Sequence, residues 1–318
     1  MMRRPEALVL VASEKDVGVR LDRFLRERSG VLSRTRARDL LAEGSVTLNG
    51  SRVKIASRLL RAGDRVEVHA LPASHRSQAP AGMEPYRVLY EDASVLVVDK
   101  APGVLVQPTL QGDRGTLIDL LSRHLRKRHP EVKAPYLGLL HRIDRETSGL
   151  LVFSRRGVAN RILAEQFRGH TLAREYLALA HGSLPADSGT IADPLSRPAP
   201  GARRSSSPRT ARGVHAVTHY RVLERFSGAQ LLSLTLETGR THQIRIHLSG
   251  RGSPVVGDKI YHRRGVFPPN SLLDTFPRQA LHACRLGFTH PGSGKWMSFE
   301  SPPPADFAGL LQALRKRS

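Results

Sequence analysis

Three short stretches rich in apolar residues limit how this chain can fold. They cover residues 95–98, 150–153 and 230–236, and turn-forming or polar residues border them, which indicates buried strands. Helical patterns over 116–125 and 157–170 do not alternate with the strands in a regular order. A doubly wound parallel sheet requires that alternation. We therefore predict an α+β fold with a mixed, mainly antiparallel sheet.

The chain is strongly basic. Its 318 residues include 50 Lys and Arg against 28 Asp and Glu, so the formal net charge is +22 at neutral pH. An excess of this size implies a polyanionic partner, which is either nucleic acid or anionic lipid. The base composition of the genome is an alternative explanation for part of the arginine excess. The charge makes an ordinary enzyme of small metabolites a poor explanation.

Hydropathy and cysteine content indicate the cellular location of the protein. No stretch approaches the 18 consecutive apolar residues of a membrane helix, and the apolar run at 8–12 is too short for the core of a signal peptide. Cys284 is the single cysteine, which excludes a disulfide within the chain and a thiolate metal site. We expect a cytoplasmic monomer without membrane contact.

An N-terminal unit is predicted over residues 15–70, followed by a linker over 71–84 that is rich in Ala, Pro and Ser. One of its helices is predicted to begin after Ser33, as N-cap, and to stop at Gly44. An Asn-Gly pair at 49–50 predicts a hairpin turn. The second helix carries three arginines that form either a solvated basic face or a phosphate-binding face: Arg34, Arg36 and Arg38.

One carboxylate, Asp144, lies between Arg142 and Arg145 in a polar segment that leads into the strand predicted at 150–153. Neighbouring cations favour the ionised form of a carboxylate. An ionised, rigidly held Asp can act as a nucleophile or as an electrostatic stabiliser. The structural alternative is an Asp that caps a turn or pairs with one of these arginines.

Metal and cofactor motifs are missing from the sequence. His242 and His247 are five residues apart, which is not the spacing of a helical zinc pair, and no His-Glu-x-x-His motif is present. There is also no phosphate-binding Walker loop, no dinucleotide-binding glycine pattern and no Gly-x-Ser-x-Gly elbow. We therefore expect chemistry that uses acid, base and nucleophile alone, with no metal and no cofactor.

Four motifs follow one another along the chain. They are HRIDRETSGL at 141–150, EYLA at 175–178, TGRTHQIRIHL at 238–248 and RQALHA at 278–283. Together they resemble the signatures of the RluA-type family of RNA pseudouridine synthases. The N-terminal unit resembles the alpha-L RNA-binding domain, also called the S-four domain. The resemblance lies in the order and spacing of four short motifs: Arg-Leu-Asp, Ser-Arg, Asn-Gly and Gly-Asp. That module is an RNA-binding accessory.

The resemblance implies a catalytic domain of the pseudouridine synthase fold over 85–313, which isomerises uridine in RNA without a cofactor. It implies that Asp144 acts at the sugar or base of the target nucleotide and that Arg245 pairs with it. Tyr176 would stack on the nucleobase or serve as the base that transfers a proton. The structural alternatives are a tyrosine of the strand core for Tyr176 and an exposed helix residue for Arg245.

The RNA partner implied by the resemblance is large-subunit ribosomal RNA, with transfer RNA as the alternative. His141 and Arg142 are expected to contact it, and Arg142 would fill the stack that the target nucleotide leaves or hold its phosphate. Residues 194–213 are predicted to form a mobile basic loop, or else an RNA contact. Two other functions stay open: a non-catalytic RNA chaperone or ribosome-assembly factor, and a glycosidic-bond hydrolase with Glu146 as second carboxylate.

Overall fold

The computed structural model describes residues 8–29, 34–42, 44–69, 77–108, 113–132, 134–196, 213–262 and 271–317, with the backbone alone at 34–36, 39 and 271. Contacts between described residues divide the chain into two compact units. The first contains the residues up to Ser77 together with Gln107–Leu120, and the second contains Gln78–Val106 and the residues from Leu121 onward. The domain boundaries predicted from the sequence stay a prediction. Residues 71–76 of the predicted linker lie outside the described residues.

The first unit packs two helices against a small antiparallel sheet. The sheet has the strand order β1-β4-β2-β3. Its core is formed by apolar side chains of both helices and of the strands, among them Phe24, Leu41 and Val66. The elements are β1 (Leu8–Val11), α1 (Leu21–Ser29), α2 (Arg34–Ala42), β2 (Val46–Leu48), β3 (Ser51–Arg52) and β4 (Arg65–Val68).

Two turns of this unit confirm local predictions. Gly44 ends α2 in the left-handed region at φ 71°, and its N–H donates to the Leu41 carbonyl at 3.0 Å. Asn49 and Gly50 both have positive φ, 51° and 79°, between paired strands β2 and β3. That is the backbone of a two-residue type I′ hairpin. Ser33, the predicted N-cap of α2, lies outside the described residues.

The second unit is built on one large mixed sheet. Its strand order is β10-β11-β12-β9-β13-β8-β6-β5, with β14 also paired to β13 and β7 to β8. Helix α3 (Leu117–Arg128) lies partly in each unit. The other elements are β5 (Tyr86–Glu91), β6 (Val95–Lys100), β7 (Gly138–Leu139), β8 (Ser148–Ser154), α4 (Gly157–Arg168), β9 (Ala173–His181), β10 (Ser188–Ile191), β11 (Thr218–Phe226), β12 (Ala229–Leu236), α5 (Gln243–Gly250), α6 (Ser271–Asp274), β13 (Leu281–Thr289), β14 (Trp296–Glu300) and α7 (Ala305–Arg315).

The sheet confirms the predicted fold class. Within the described residues, β8 and β13 form the parallel pair, and the other named strand pairs are antiparallel. The three apolar stretches lie in β6, β8 and β12, as predicted. Every residue of β8 is buried, and β6 pairs with one of its edges and β13 with the other. The segment that precedes β8 therefore lies at the start of a central, rigid strand.

The helix predicted over 241–248 begins two residues later, since α5 starts at Gln243 and His242 is its N-cap. Most of the predicted basic loop at 194–213 lies outside the described residues. Among the described helices, none has the length and apolar character that crossing a membrane requires. The cytoplasmic location and the monomeric state stay predictions.

Candidate active site

Asp144 lies in the turn that leads into β8. The Thr147 N–H donates to the Asp144 carbonyl at 3.1 Å and closes this turn. The Asp144 carboxylate is 21% exposed, and its Oδ2 accepts a hydrogen bond of 2.8 Å from Nη1 of Arg245. The two residues are 101 positions apart in the sequence. The fold thus brings the 141–150 and 238–248 motifs together at one carboxylate.

Arg245 is held from its other side by a second carboxylate. Its Nε and Nη2 donate to the two oxygens of Asp258 at 2.6 and 2.9 Å, and the Asp258 side chain is fully buried. Backbone N–H groups of Ile260 and Tyr261 donate to the same Asp258 carboxylate. Asp258 therefore fixes the guanidinium in one orientation, from which Nη1 reaches Asp144.

Neighbouring charges and burial have opposite effects on the pKa values of Arg245 and Asp258. Burial opposes the charged form of Arg245, but the hydrogen bonds to Asp258 and the charge of Asp144 outweigh it and raise the pKa of Arg245 above its usual range. Burial also opposes ionisation of Asp258, and the guanidinium of Arg245 outweighs it and lowers the pKa of that carboxyl. Both groups are charged at neutral pH. The sequence motifs predict no role for Asp258, which is an acidic residue ten positions after the 238–248 motif.

Tyr176 lies on β9, in register with Ala283 of β13 and Leu234 of β12. Its side chain is almost completely buried. Burial raises the pKa of the Tyr176 phenol, and the nearby charge of Asp144 adds to this effect although Arg174 opposes it. The phenol is therefore neutral at neutral pH, so it can stack or donate a proton but does not start the reaction as a phenolate.

Two buried basic side chains hold the backbone just after Asp144. Nζ of Lys100, which ends β6, donates to the Arg145 carbonyl at 3.0 Å. Nη1 of Arg278 donates to the Glu146 carbonyl at 2.9 Å, and the rest of its guanidinium forms two hydrogen bonds with Asp306. Consecutive carbonyls of the loop are thus bound by side chains from opposite ends of the second unit's sequence.

Two further side chains bind the residues that follow in the Asp144 loop. Nε2 of Gln279 donates to Oγ1 of Thr147 at 3.1 Å. Nε2 of His282 contacts the Ser301 carbonyl, which only accepts, so Nδ1 of the neutral ring accepts from the Ser148 hydroxyl at 2.9 Å. Burial lowers the pKa of His282 and favours this neutral form. The 278–283 motif therefore holds the loop, a role that its sequence alone did not indicate.

Lys100 makes a testable contribution to stability. Burial lowers its pKa from 10.5 to about 7, although the charge of Glu146 opposes the shift. Between about pH 7 and pH 10 the unfolded chain therefore holds a proton that the folded protein lacks, so the free energy of unfolding rises with pH across this window. Urea unfolding of Lys100→Met at pH 7 and pH 9 is expected to show a smaller rise than the wild type.

The control for this experiment is Lys295→Met, which removes an exposed lysine and should leave the pH dependence of the wild type unchanged. If Lys100→Met shows the same rise in unfolding free energy as the wild type, the buried ammonium does not titrate in this range.

The predicted RNA contacts are found in different surroundings. Nε2 of His141 accepts a hydrogen bond from the Val152 N–H at 3.1 Å, and its ring packs on Phe167. Burial and the charge of Arg174 lower the pKa of His141 to about 3, so it is neutral. These contacts lie within the fold, whereas Arg142 is exposed. RNA contact by His141 and Arg142 stays a prediction.

In the first unit, Arg38 is half exposed, and its Nε donates to the buried carboxylate of Asp22 at 2.9 Å. Asp22 also accepts from Arg20. This ion pair holds the Arg38 guanidinium at the surface of α2. The side chains of Arg34 and Arg36 lie outside the described residues. No group of three or more His, Cys, Asp or Glu that could hold a metal ion occurs among the described residues.

Comparison with known proteins decides the family. A model described as RNA pseudouridylate synthase matches residues 94–250, and a model of the S4 domain matches residues 19–66. An RNA pseudouridine synthase of Bacillus subtilis, YlyB, itself described as uncharacterized, is 39% identical over 96% of this chain and 98% of the relative. The chain belongs to the RNA pseudouridine synthases. It is therefore an enzyme of that class, with an RNA-binding S4 domain at its N-terminus.

Two further relatives of this synthase carry a name that specifies an RNA. The ribosomal large subunit pseudouridine synthases D of Xanthomonas campestris and Nitrosomonas europaea are 38% and 36% identical to it. The alignments cover 97% and 96% of this chain and 92% and 87% of the relatives. The similarity thus extends over both units.

Solved structures confirm the predicted pseudouridine synthase fold. Human RNA pseudouridylate synthase domain containing 4 superimposes with a TM-score of 0.58, over 72% of this chain and 92% of that one, at 24% identity. Human RNA pseudouridylate synthase domain containing 1 gives a TM-score of 0.56, over 75% and 98% of the two chains, at 25% identity.

Proposed function

We propose that this synthase converts uridine to pseudouridine in large-subunit ribosomal RNA, with Asp144 as the carboxylate that acts at the target nucleotide. The observation that carries this proposal is the Asp144 carboxylate itself, which is partly exposed and held by the buried Arg245 at 2.8 Å. A structural aspartate in a turn needs no such partner. A rigidly oriented, ionised carboxylate is what a nucleophile or an electrostatic stabiliser requires.

The reaction needs little beyond these groups. The bond from N1 of uracil to C1′ of ribose breaks, and a bond from C5 to C1′ forms. C5 loses a proton and N1 gains one, so the product is an isomer and no electrons are exchanged. For this reason we propose that no cofactor takes part. Asp144 either attacks the nucleotide or assists elimination at the sugar, and both roles use its carboxylate group.

Tyr176 and Arg142 complete the proposed site. The neutral, buried phenol of Tyr176 offers a flat face for the uracil ring. It can give its proton to N1 and then take the proton that C5 loses, so the two proton transfers balance. A base inside folded RNA must first leave its stack, which costs a few kcal/mol. The exposed guanidinium of Arg142 is suited to occupy the vacated stack or to bind a phosphate, and either contact offsets that cost.

The alternatives have weaker support. A hydrolase of glycosidic bonds uses a second carboxyl group as acid on the other side of the bond. Glu146 is only two residues from Asp144 in the same loop, a spacing that does not favour this arrangement. Asp258, the second carboxylate at Arg245, is fully buried and bound by two of the three guanidinium nitrogens. A non-catalytic RNA chaperone has no need for an aspartate that a buried arginine orients. Transfer RNA stays the alternative substrate, because the Bacillus subtilis relative is described only as an RNA pseudouridine synthase.

Pseudouridine mapping tests the choice of RNA. Total RNA from cells that lack this protein is compared with RNA from the parent strain and from the deletion strain that again carries the gene. We expect at least one pseudouridine to disappear from large-subunit ribosomal RNA and to return with the wild-type gene. Loss confined to transfer RNA would assign the alternative substrate, and an unchanged map would contradict the proposal for both.

The S4 domain provides a separate prediction about binding. Replacing Arg38 by Gln removes one exposed cation from α2, and we expect RNA affinity to fall by about three- to tenfold, with a slope of log K against log salt that is smaller by about one. Filter binding at several salt concentrations measures both quantities. Arg23→Gln, which removes an exposed arginine of α1, is the matched control, and an equal loss there would argue against a specific role for Arg38.

A further inference from the structure

His242 has an unusual backbone next to the proposed site. It is the N-cap of α5 and adopts the left-handed conformation, with φ 59° and ψ 19°. For a residue with a side chain this conformation costs about 1 kcal/mol or more, and it persists only where the surroundings impose it. Gln243 supplies that constraint, because its side chain donates to the Val217 carbonyl and accepts from the Arg240 N–H. The strained backbone therefore fixes the direction of the His242 side chain.

The imidazole of His242 is directed at Asp144. Its Nδ1 contacts the Tyr261 hydroxyl at 2.9 Å, and the two rings meet edge to face. The Tyr261 ring in turn lies against the guanidinium of Arg245, 5.1 Å from its central carbon. Nε2 of His242 is 3.8 Å from Oδ1 of Asp144. The tyrosine thus orients the imidazole as Asp258 orients the guanidinium.

The two oxygens of Asp144 are therefore not equivalent. Oδ2 is bound by the buried Arg245, whereas Oδ1 faces His242 across 3.8 Å. That gap exceeds the 2.7–3.2 Å range of an N–H···O hydrogen bond. The His242 side chain is 27% exposed, against 4% for Arg245. A ligand that reaches Oδ1 therefore meets Nε2 of His242 at the same time.

We propose that Nε2 of His242 binds the 2′-hydroxyl of the target nucleotide and so selects ribose over deoxyribose at the reacting position. This inference rests on the proposed function, in which Asp144 acts at that nucleotide. The bond that breaks ends at C1′, and the 2′-oxygen is bonded to the neighbouring carbon. A carboxylate that acts at C1′ or at the hydrogen of C2′ brings this oxygen into the reach of a group 3.8 Å away.

A hydroxyl group suits this position better than other parts of the nucleotide. The 2′-hydroxyl both donates and accepts, so it can bind either tautomer of the imidazole. A phosphate oxygen only accepts and would require a protonated Nε2. The 2′-hydroxyl is also the group by which a protein distinguishes RNA from DNA at one nucleotide.

The test combines two enzymes with two substrates. The substrates are an RNA oligonucleotide that carries the mapped target uridine and the same oligonucleotide with one 2′-deoxyuridine at that position. The variant is His242→Asn, because asparagine tolerates the left-handed backbone but is too short to replace Nε2. Single-turnover rates are measured for all four pairs. Comparing the variant with the wild type on each substrate cancels the effect of the missing hydroxyl on the chemistry itself.

We expect His242→Asn to slow the reaction of the ribose substrate about ten- to hundredfold, the loss of one well-formed polar contact at the site. With the deoxyuridine substrate the variant and the wild type should react at nearly equal rates. His242→Gln, whose amide lies at nearly the reach of Nε2, should recover part of the rate with ribose. His170→Asn, at another described residue with left-handed φ, should behave as the wild type with both substrates.

Equal slowing of both substrates by His242→Asn would overturn the inference and assign His242 to the support of Asp144 or Tyr261. Wild-type rates for His242→Asn with ribose would overturn it as well. A different result would contradict the proposed function itself. In that case Asp144→Asn would isomerise the ribose substrate as fast as the wild type, whatever the result for His242.

Discussion

Replacing Asp144 by Asn is expected to lower the rate of pseudouridine formation by at least about a thousandfold, while the affinity for RNA changes little. The amide keeps the size of the side chain but removes the negative charge that a nucleophile or stabiliser needs, and losses of this order follow the removal of such a group from other enzymes. Release of tritium from C5-labelled uridine in RNA measures the rate, and filter binding measures the affinity.

Glu146→Gln is the matched control for Asp144→Asn. It neutralises a carboxylate two residues away in the same loop, and the backbone carbonyl that Arg278 binds is retained. We expect this variant to keep most of its activity. If Glu146→Gln is the inactive variant and Asp144→Asn reacts normally, the reacting carboxylate has been assigned to the wrong residue. Loss of RNA binding in Asp144→Asn would indicate damage to the fold instead.

Replacing Arg245 by Met is expected to destabilise the protein by about 3–5 kcal/mol and to abolish activity. Removal of one partner from a buried ion pair leaves the other charge without compensation, and Asp258 is fully buried beside Arg245. Asp144 also loses the hydrogen bond that orients it. Urea unfolding measures the stability, and tritium release measures the activity.

A double variant separates these two consequences. In Arg245→Met with Asp258→Leu both charges are replaced by apolar groups of similar volume, and such a replacement is often neutral or stabilising. We expect only part of the stability to return, because the N–H groups of Ile260 and Tyr261 lose their acceptor in Asp258→Leu. The activity should stay lost, because Arg245 no longer holds Asp144. Wild-type stability of the single variant would show that Asp258 finds another partner. Recovery of activity in the double variant would show that Asp144 needs no orientation by Arg245.

The structure also shows why position matters more than residue type at this site. Asp144, Asp258 and Glu146 are all carboxylates near Arg245, Lys100 or Arg278, and only their surroundings separate them. Asp258 is buried and bound at both oxygens, so it cannot reach a substrate. Asp144 is bound by Arg245 through one oxygen and is partly exposed, and its second oxygen lies 3.8 Å from Nε2 of His242.

Local sequence determined the parts of this protein that depend on near neighbours. The apolar stretches predicted β6, β8 and β12, because a run of buried side chains needs no distant partner to be recognised. Gly44 and the Asn49-Gly50 pair predicted their turns, since a positive φ is a property of one or two residues. The four motifs indicated the family, and with it the expected contact between Asp144 and Arg245.

Only the tertiary structure decided how the site is held. Lys100 binds the Arg145 carbonyl, which is 45 residues away. Arg278 binds the Glu146 carbonyl and Gln279 binds the Thr147 hydroxyl, each 132 residues away. No periodicity or composition reports such pairs, because they exist only after β6, β8 and β13 have come together in one sheet. The strain at His242 and the two-sided hold on Arg245 arise in the same way. The sequence determined which groups are present, and packing determined which oxygen of Asp144 is bound by Arg245.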